Sequence, residues 1–152
     1  MTEIKTNQEL EILNVLSFRG KVTQAELGNI EKNMEIKLAE AGARRVDNPI
    51  TVTFGVEGSY IDVEILLPID RKMDNIGNYC FKDKIKIVNA VVASFKGNPS
   101  GLQCACDKLN EYIRENRLQP ITAGYNVTKK VDPLNIDNTE IDVYVGINPN
   151  IL

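Results

Sequence analysis

Carboxylates and tyrosines alternate with aliphatic residues in two short stretches of this 152-residue chain. Side chains two apart on a strand share a face. From Tyr60 to Leu67, therefore, Ile61, Val63, Ile65 and Leu67 point one way, and Tyr60, Asp62, Glu64 and Leu66 the other. The stretch from Glu140 to Ile147 repeats the pattern, with Ile141, Val143, Val145 and Ile147 opposing Glu140, Asp142, Tyr144 and Gly146. A partly desolvated carboxylate attracts a cation strongly, and a tyrosine ring adds a cation–π contact. The pattern thus suits a shallow groove between two units that takes a cationic or hydrogen-bond-donating small molecule. The alternative is a solvated outer face, which antiparallel sheets commonly have. The candidate ligand-binding residues are Asp142, Tyr144, Glu140, Asp62, Glu64, Tyr60 and Tyr125. For Tyr125, Phe54, Phe18 and Phe95 the core is the expected place, with lining of the groove as the alternative.

Catalytic and metal chemistry find little support. The chain has no histidine, which excludes Ser-His-Asp and Cys-His mechanisms. It also has no GxxxxGK[ST], GxGxxG or GxSxG string. Three cysteines are an odd number, and Cys104 and Cys106 stand too close together for a zinc knuckle. Reduced, partly buried thiols are expected, with no catalytic residue, no metal and no cofactor. A net charge of −3 and a pI near 5.1 argue against direct contact with nucleic acid, which requires a basic face. The polar start MTEIKTNQEL is neither a signal nor a transit peptide, and no apolar run approaches the roughly 20 residues of a membrane span. The expected location is the cytoplasm, away from the membrane.

The elements that must carry these residues occur twice. Ser17-Phe18-Arg19-Gly20 returns 77 residues later as Ser94-Phe95-Lys96-Gly97. Pro49-Ile50-Thr51 returns as Pro120-Ile121-Thr122, and Ile61-Asp62-Val63 as Ile141-Asp142-Val143. Thr23-Gln24-Ala25-Glu26 reads as a helix capping box. Ser100 to Gln103 repeats it, although Asn98 followed by Pro99 is a competing cap. Leu27, Ile30, Met34, Leu38 and Ala41 then form one apolar helical stripe ending near Gly42, and Leu102, Ala105, Leu109 and Ile113 form another. Strands are expected over Glu11–Arg19, Ile50–Val56 and Tyr60–Leu67, with a tight corner at Glu57-Gly58-Ser59. In the second half they are expected over Ile85–Lys96, Ile121–Lys129 and Glu140–Ile147. The fold class is α+β: a duplicated strand–helix–strand–strand unit forming one antiparallel sheet with two helices on one face. A single domain, 1–152, is expected to hold a first repeat over about 9–67, a linker over about 68–84 and a second repeat over about 85–150.

The C-terminal half carries Leu118-Gln119-Pro120, Tyr125-Asn126-Val127, Val131-Asp132-Pro133 and the run from Thr139 to Ile147. With the repeated order of elements, these residues resemble the GyrI-like family, also called the bacterial transcription-activator effector-binding domain. The likeness spans roughly residues 9 to 150. It implies a duplicated sheet with two helices and a central cleft that binds small, often cationic or hydrophobic molecules. Relatives tend to place an acidic residue on the final strand at that cleft. Asp142 matches it, or Glu140 after a two-residue shift. The departures are the absence of tryptophan, a total of only five tyrosines, and Gly146 where a proline is common. Many relatives follow a DNA-binding segment. About ten residues precede the first expected strand here, so a stand-alone binding protein without enzymatic activity is the natural expectation. The alternatives are a protein-interaction module, an inhibitor or adaptor with a protein partner, and a small hydrolase.

Overall fold

The computed structural model describes residues 2–151. In chain order its main elements are β1 (Thr2–Thr23), α1 (Leu27–Glu40), β2 (Ile50–Glu57), β3 (Tyr60–Pro68), β4 (Cys80–Gly97), α2 (Leu102–Glu115), β5 (Tyr125–Lys130) and β6 (Thr139–Gly146). The α+β class is as expected, with six strands and two α-helices among the described residues and every described strand pairing antiparallel. Contacts divide the chain into two compact units. The first-half unit is Glu11–Ile85, and the second-half unit joins the residues up to Leu10 with those from Lys86 onward.

In the first-half unit β3 lies between β1 and β2, with Leu16 opposite Leu67 and Ile50 opposite Leu66. Leu16, Ile65 and Leu67 pack with Met34 and Leu38 of α1, so the aliphatic face of β3 carries the helix as its alternation predicts. Met34 and Leu38 are essentially fully buried, a contribution of about 1.5–3 kcal/mol each. The start of α1 is fixed by the expected capping box. The Glu26 carboxylate accepts from the Thr23 amide at 3.1 Å and the Thr23 hydroxyl at 2.7 Å. The helix stops at Gly42, whose φ of +75° suits a residue without Cβ. The Ala43 amide then returns to the Leu38 carbonyl at 2.9 Å, closing a Schellman turn.

The second-half unit repeats this order. β6 lies between β4 and β5, and Ile141, Val143, Val145 and Ile147 pack with Leu109 and Ile113 of α2. The cap is Asn98, whose side chain accepts from the Ser100 amide at 3.0 Å, with Pro99 in the first turn. The competing Ser100–Gln103 box is not made. Gln103 instead donates to Asp107 one turn on.

Four boundaries differ from the expectations by more than one residue. β1 starts at Thr2 rather than Glu11 and runs past Arg19 to Thr23. β4 starts at Cys80, inside the stretch read as a polar linker. Both extensions are polar, so apolar periodicity does not announce them. β5 starts at Tyr125 rather than Ile121. Ile121 still donates to the Gly146 carbonyl at 2.8 Å, but Ala123 and Gly124 leave the ladder. The repeated Ser-Phe-x-Gly string is also out of strand register. Phe18 sits opposite Ile65, whereas Phe95 sits opposite Ile141, the counterpart of Ile61. Each phenylalanine ring lies against the glycine two residues on, so the string encodes a local packing that slides along the strand by four residues and keeps its face.

Candidate functional site

In the first-half unit the polar face of β3 is not a simple solvated surface. Glu64 is only 7% exposed, with Ser17 opposite its neighbour Leu66 on β1 and Val52 opposite it on β2. Its carboxylate Oε2 accepts from the Ser17 hydroxyl at 2.6 Å and from the Lys82 ammonium at 2.5 Å. The bulk of Glu64 is thereby held in one place, its charge countered by a lysine from the start of β4. Asp62, two residues back, is gripped at both oxygens by Arg19, at 3.0 and 3.1 Å. This bidentate geometry fixes both side chains. The Arg19 guanidinium beside it holds the Asp62 carboxyl below the usual carboxylate range. Arg19 also lies over the Phe54 ring, 3.6 Å from its centre. Phe54 falls where the β2 register breaks between Thr53 and Gly55, and it is exposed rather than core. Tyr60 is exposed at the hairpin end. With Asp62, Lys21 and Glu57 it borders a shallow hollow of about 160 Å³. The Lys21–Glu57 ion pair at 3.1 Å crosses that hollow's polar rim.

The second-half unit presents the same pattern with different chemistry. Tyr125 on β5 stands directly opposite Tyr144 on β6, and Val92 stands opposite Tyr144 on β4. Tyr144 is 9% exposed, and burial, with Asp142 nearby, pushes its phenol up. Asp142 lies between Ser94 and Val127, and Glu140 between Lys96 and Lys130. The Ser94 hydroxyl is buried and has no hydrogen-bond partner among the described residues. No described ion pair or hydrogen bond engages the Asp142 carboxylate, which is half-buried. The residues expected on this face, Tyr125, Glu140, Asp142 and Tyr144, therefore come together around an uncompensated negative charge.

Four residues at these faces escaped the sequence reading: Ser17, Arg19, Lys82 and Ser94. Arg19 and Ser17 sit two residues apart on a strand already assigned, so pairing β1 with β3 would have found them. Lys82 lies in the polar stretch whose pairing nothing in the sequence signals. Among the described residues no cluster of histidine, cysteine, aspartate or glutamate could hold a metal, and Cys80, Cys104 and Cys106 are free. No described helix is long and apolar enough to cross a membrane.

No protein-family model matches the chain. Similarity of structure runs over almost its whole length. The C-terminal domain of EcmrR superposes with a TM-score of 0.74 over 97% of both chains, at 18% identity. The fold is that of the EcmrR C-terminal domain. In the EcmrR–DNA complex the TM-score is 0.80 at 18% identity, and this chain spans 57% of the EcmrR chain, so it matches a part of that protein. A hydrolase from Listeria innocua is similar at a TM-score of 0.61 and 12% identity, over 97% of this chain and 91% of that one. SAV2435, solved bound to tetraphenylphosphonium, is similar at 0.56 and 8% identity, over 98% and 94%. By sequence, 68 residues are 40% identical to acetylornithine aminotransferase of Clostridium acetobutylicum. That match takes in 43% of this chain and only 17% of the aminotransferase.

Proposed function

We propose that this chain is a small-molecule-binding domain of the GyrI-like, effector-binding kind, acting in the cytoplasm without catalysis, and that its ligand is an organic cation. The observation that carries this is the Asp142 carboxylate, half-buried beside Tyr144 and Tyr125 and matched by no cation among the described residues. A carboxylate partly withdrawn from water gains more from a bound cation than a solvated one does. Tyr125 and Tyr144 stand opposite each other next to Asp142, and tyrosine rings attract cations. The likeness to SAV2435 supports the reading, since that protein was solved with an aromatic cation bound.

A direct test is calorimetry with tetraphenylphosphonium against the wild type and Asp142→Asn. The substitution keeps the shape and removes the charge. The affinity is expected to fall by about 1.5–3 kcal/mol, the scale of a hydrogen bond to a charged group, while neutral aromatic ligands are unaffected. Equal affinities for the two proteins, or binding by neither, would sink the proposal.

The second reading is a protein-interaction module. It draws on Val131, Leu134 and Ile136, three exposed apolar side chains of the β5–β6 loop, of which Leu134 is 96% exposed.

A further inference from the structure

A cavity of about 200 Å³ opens in the second-half unit, away from the strand face that bears Asp142. Three primary amides border it: Asn7 from β1, Asn89 from β4 and Asn116 at the end of α2. Tyr112 and the aliphatic side chains of Val91 and Ile147 complete the part that matters here. Each amide is held there by its backbone. Asn7 has a φ of +54°, a left-handed conformation that asparagine tolerates better than most residues and that kinks β1 at this point. The Asn89 carbonyl accepts from the Ile147 amide at 2.9 Å. Asn116 caps α2, its side-chain nitrogen donating to the Tyr112 carbonyl at 2.9 Å, which leaves its own oxygen available. Arg117 at φ +53° and the Leu118 amide returning to Ile113 at 3.0 Å close the helix behind it.

Most of the side-chain amide capacity of this lining is unspent. The side-chain amides of Asn7 and Asn89 make no hydrogen bond among the described residues. A primary amide presents a donor and an acceptor side by side in one plane, and its complement is an edge with the same two functions adjacent. Among the described residues no carboxylate, ammonium or guanidinium borders the cavity. Tyr112 supplies a π-face on which a flat ring can stack. Asparagine reads the edge of a nucleobase in this bidentate manner, and the aliphatic wall suits the ring's faces.

We propose that this cavity is a second ligand site, one that takes a neutral nucleobase or nucleoside. The site is independent of Asp142 and of the cation reading. The test is a titration of the full-length ¹⁵N-labelled chain with adenosine and with uridine, followed through the asparagine side-chain amide signals, with glucose as a second probe. At least one nucleoside is expected to shift the Asn89 and Asn116 signals saturably. Asn89→Ala is expected to weaken that binding about tenfold or more, the scale of one bidentate amide–base pair. Asn7→Gly, which accepts the positive φ without strain, should weaken it as well. Tetraphenylphosphonium affinity should be unchanged in both variants. The proposal fails if no signal moves saturably up to about 5 mM nucleoside, if the shifts map elsewhere, if glucose moves the same signals equally, or if both variants keep full affinity.

Discussion

The two units present one strand pattern with two electrostatic outcomes. On β3, Asp62 is paired with Arg19 of the adjacent β1, and Glu64 with Lys82 at the start of β4. On β6, Asp142 stands where Asp62 does in the matched pattern and has no such partner among the described residues. Tyr144 takes the place of Glu64. A carboxylate already satisfied within the chain has little left to offer a ligand, because a newcomer must first displace its cation. An unsatisfied, half-buried one holds binding energy in reserve. Composition alone would not separate the two faces, since each carries two acids. The pairing does.

The sharpest way to break the contrast is to remove Lys82. Its ammonium is the counter-charge of a glutamate only 7% exposed, so Lys82→Met leaves a carboxylate buried without compensation. The lysine side chain is itself 42% exposed. The loss of stability should therefore be about 3 kcal/mol, the low end for a broken buried pair. Adding Glu64→Gln to Lys82→Met should recover most of it. Coincident denaturant curves for wild type and single variant would show that the pair is not what holds Glu64.

The serines sharpen the contrast. Ser17 spends its hydroxyl on Glu64, whereas the buried Ser94 hydroxyl has no partner among the described residues. Ser17→Ala should destabilise by about 1.5–2 kcal/mol, as losses of hydrogen bonds to charged groups do, and Ser94→Ala by nearly nothing. Equal losses would mean that Ser94 has a partner in solution. The smallest effect is expected at Asp62. Arg19 lowers its folded-state pKa, so its contribution is present above the unfolded aspartate value near about 3.9 and fades as pH falls through the lower folded value. Thermal melts between about pH 7 and about pH 2 should show a slightly steeper acid-side decline for wild type than for Asp62→Asn. Because both partners are solvent-accessible, salt should erase the difference. A difference that persists in high salt would contradict this account.

Much of the fold was legible because it rests on periodicity. The alternation in 61–67 and 141–147 names the helix-bearing face correctly, and the stripe through Met34 and Leu38 names what covers it in the first half. Thr23 and Glu26 mark a helix start from four residues of local chemistry. The polar residues of the other face were legible as a set but not in their circumstances. Glu64 and Tyr144 are buried by strand neighbours whose positions depend on register, and the Ser-Phe-x-Gly repeat suggested a register four residues off. The pairing of Lys82 with Glu64 needs β4 to begin at Cys80, in a stretch whose alternation is masked by lysine and aspartate.

The way β1 is shared has a consequence for the order of assembly. The first-half unit is one unbroken stretch, Glu11–Ile85, whereas the second-half unit needs the residues up to Leu10 as well as those from Lys86 onward. During synthesis residues 2–10 emerge before the partners they need, all of which follow Ile85; one is Lys86, which pairs with Glu9 at 3.6 Å. Closing so long a loop is entropically slow relative to local structure. The stretch 11–85 is therefore set to fold first, as a vectorially synthesised module does. Removing residues 2–10 would injure the unit made of the residues that follow Ile85 rather than the one next to the cut.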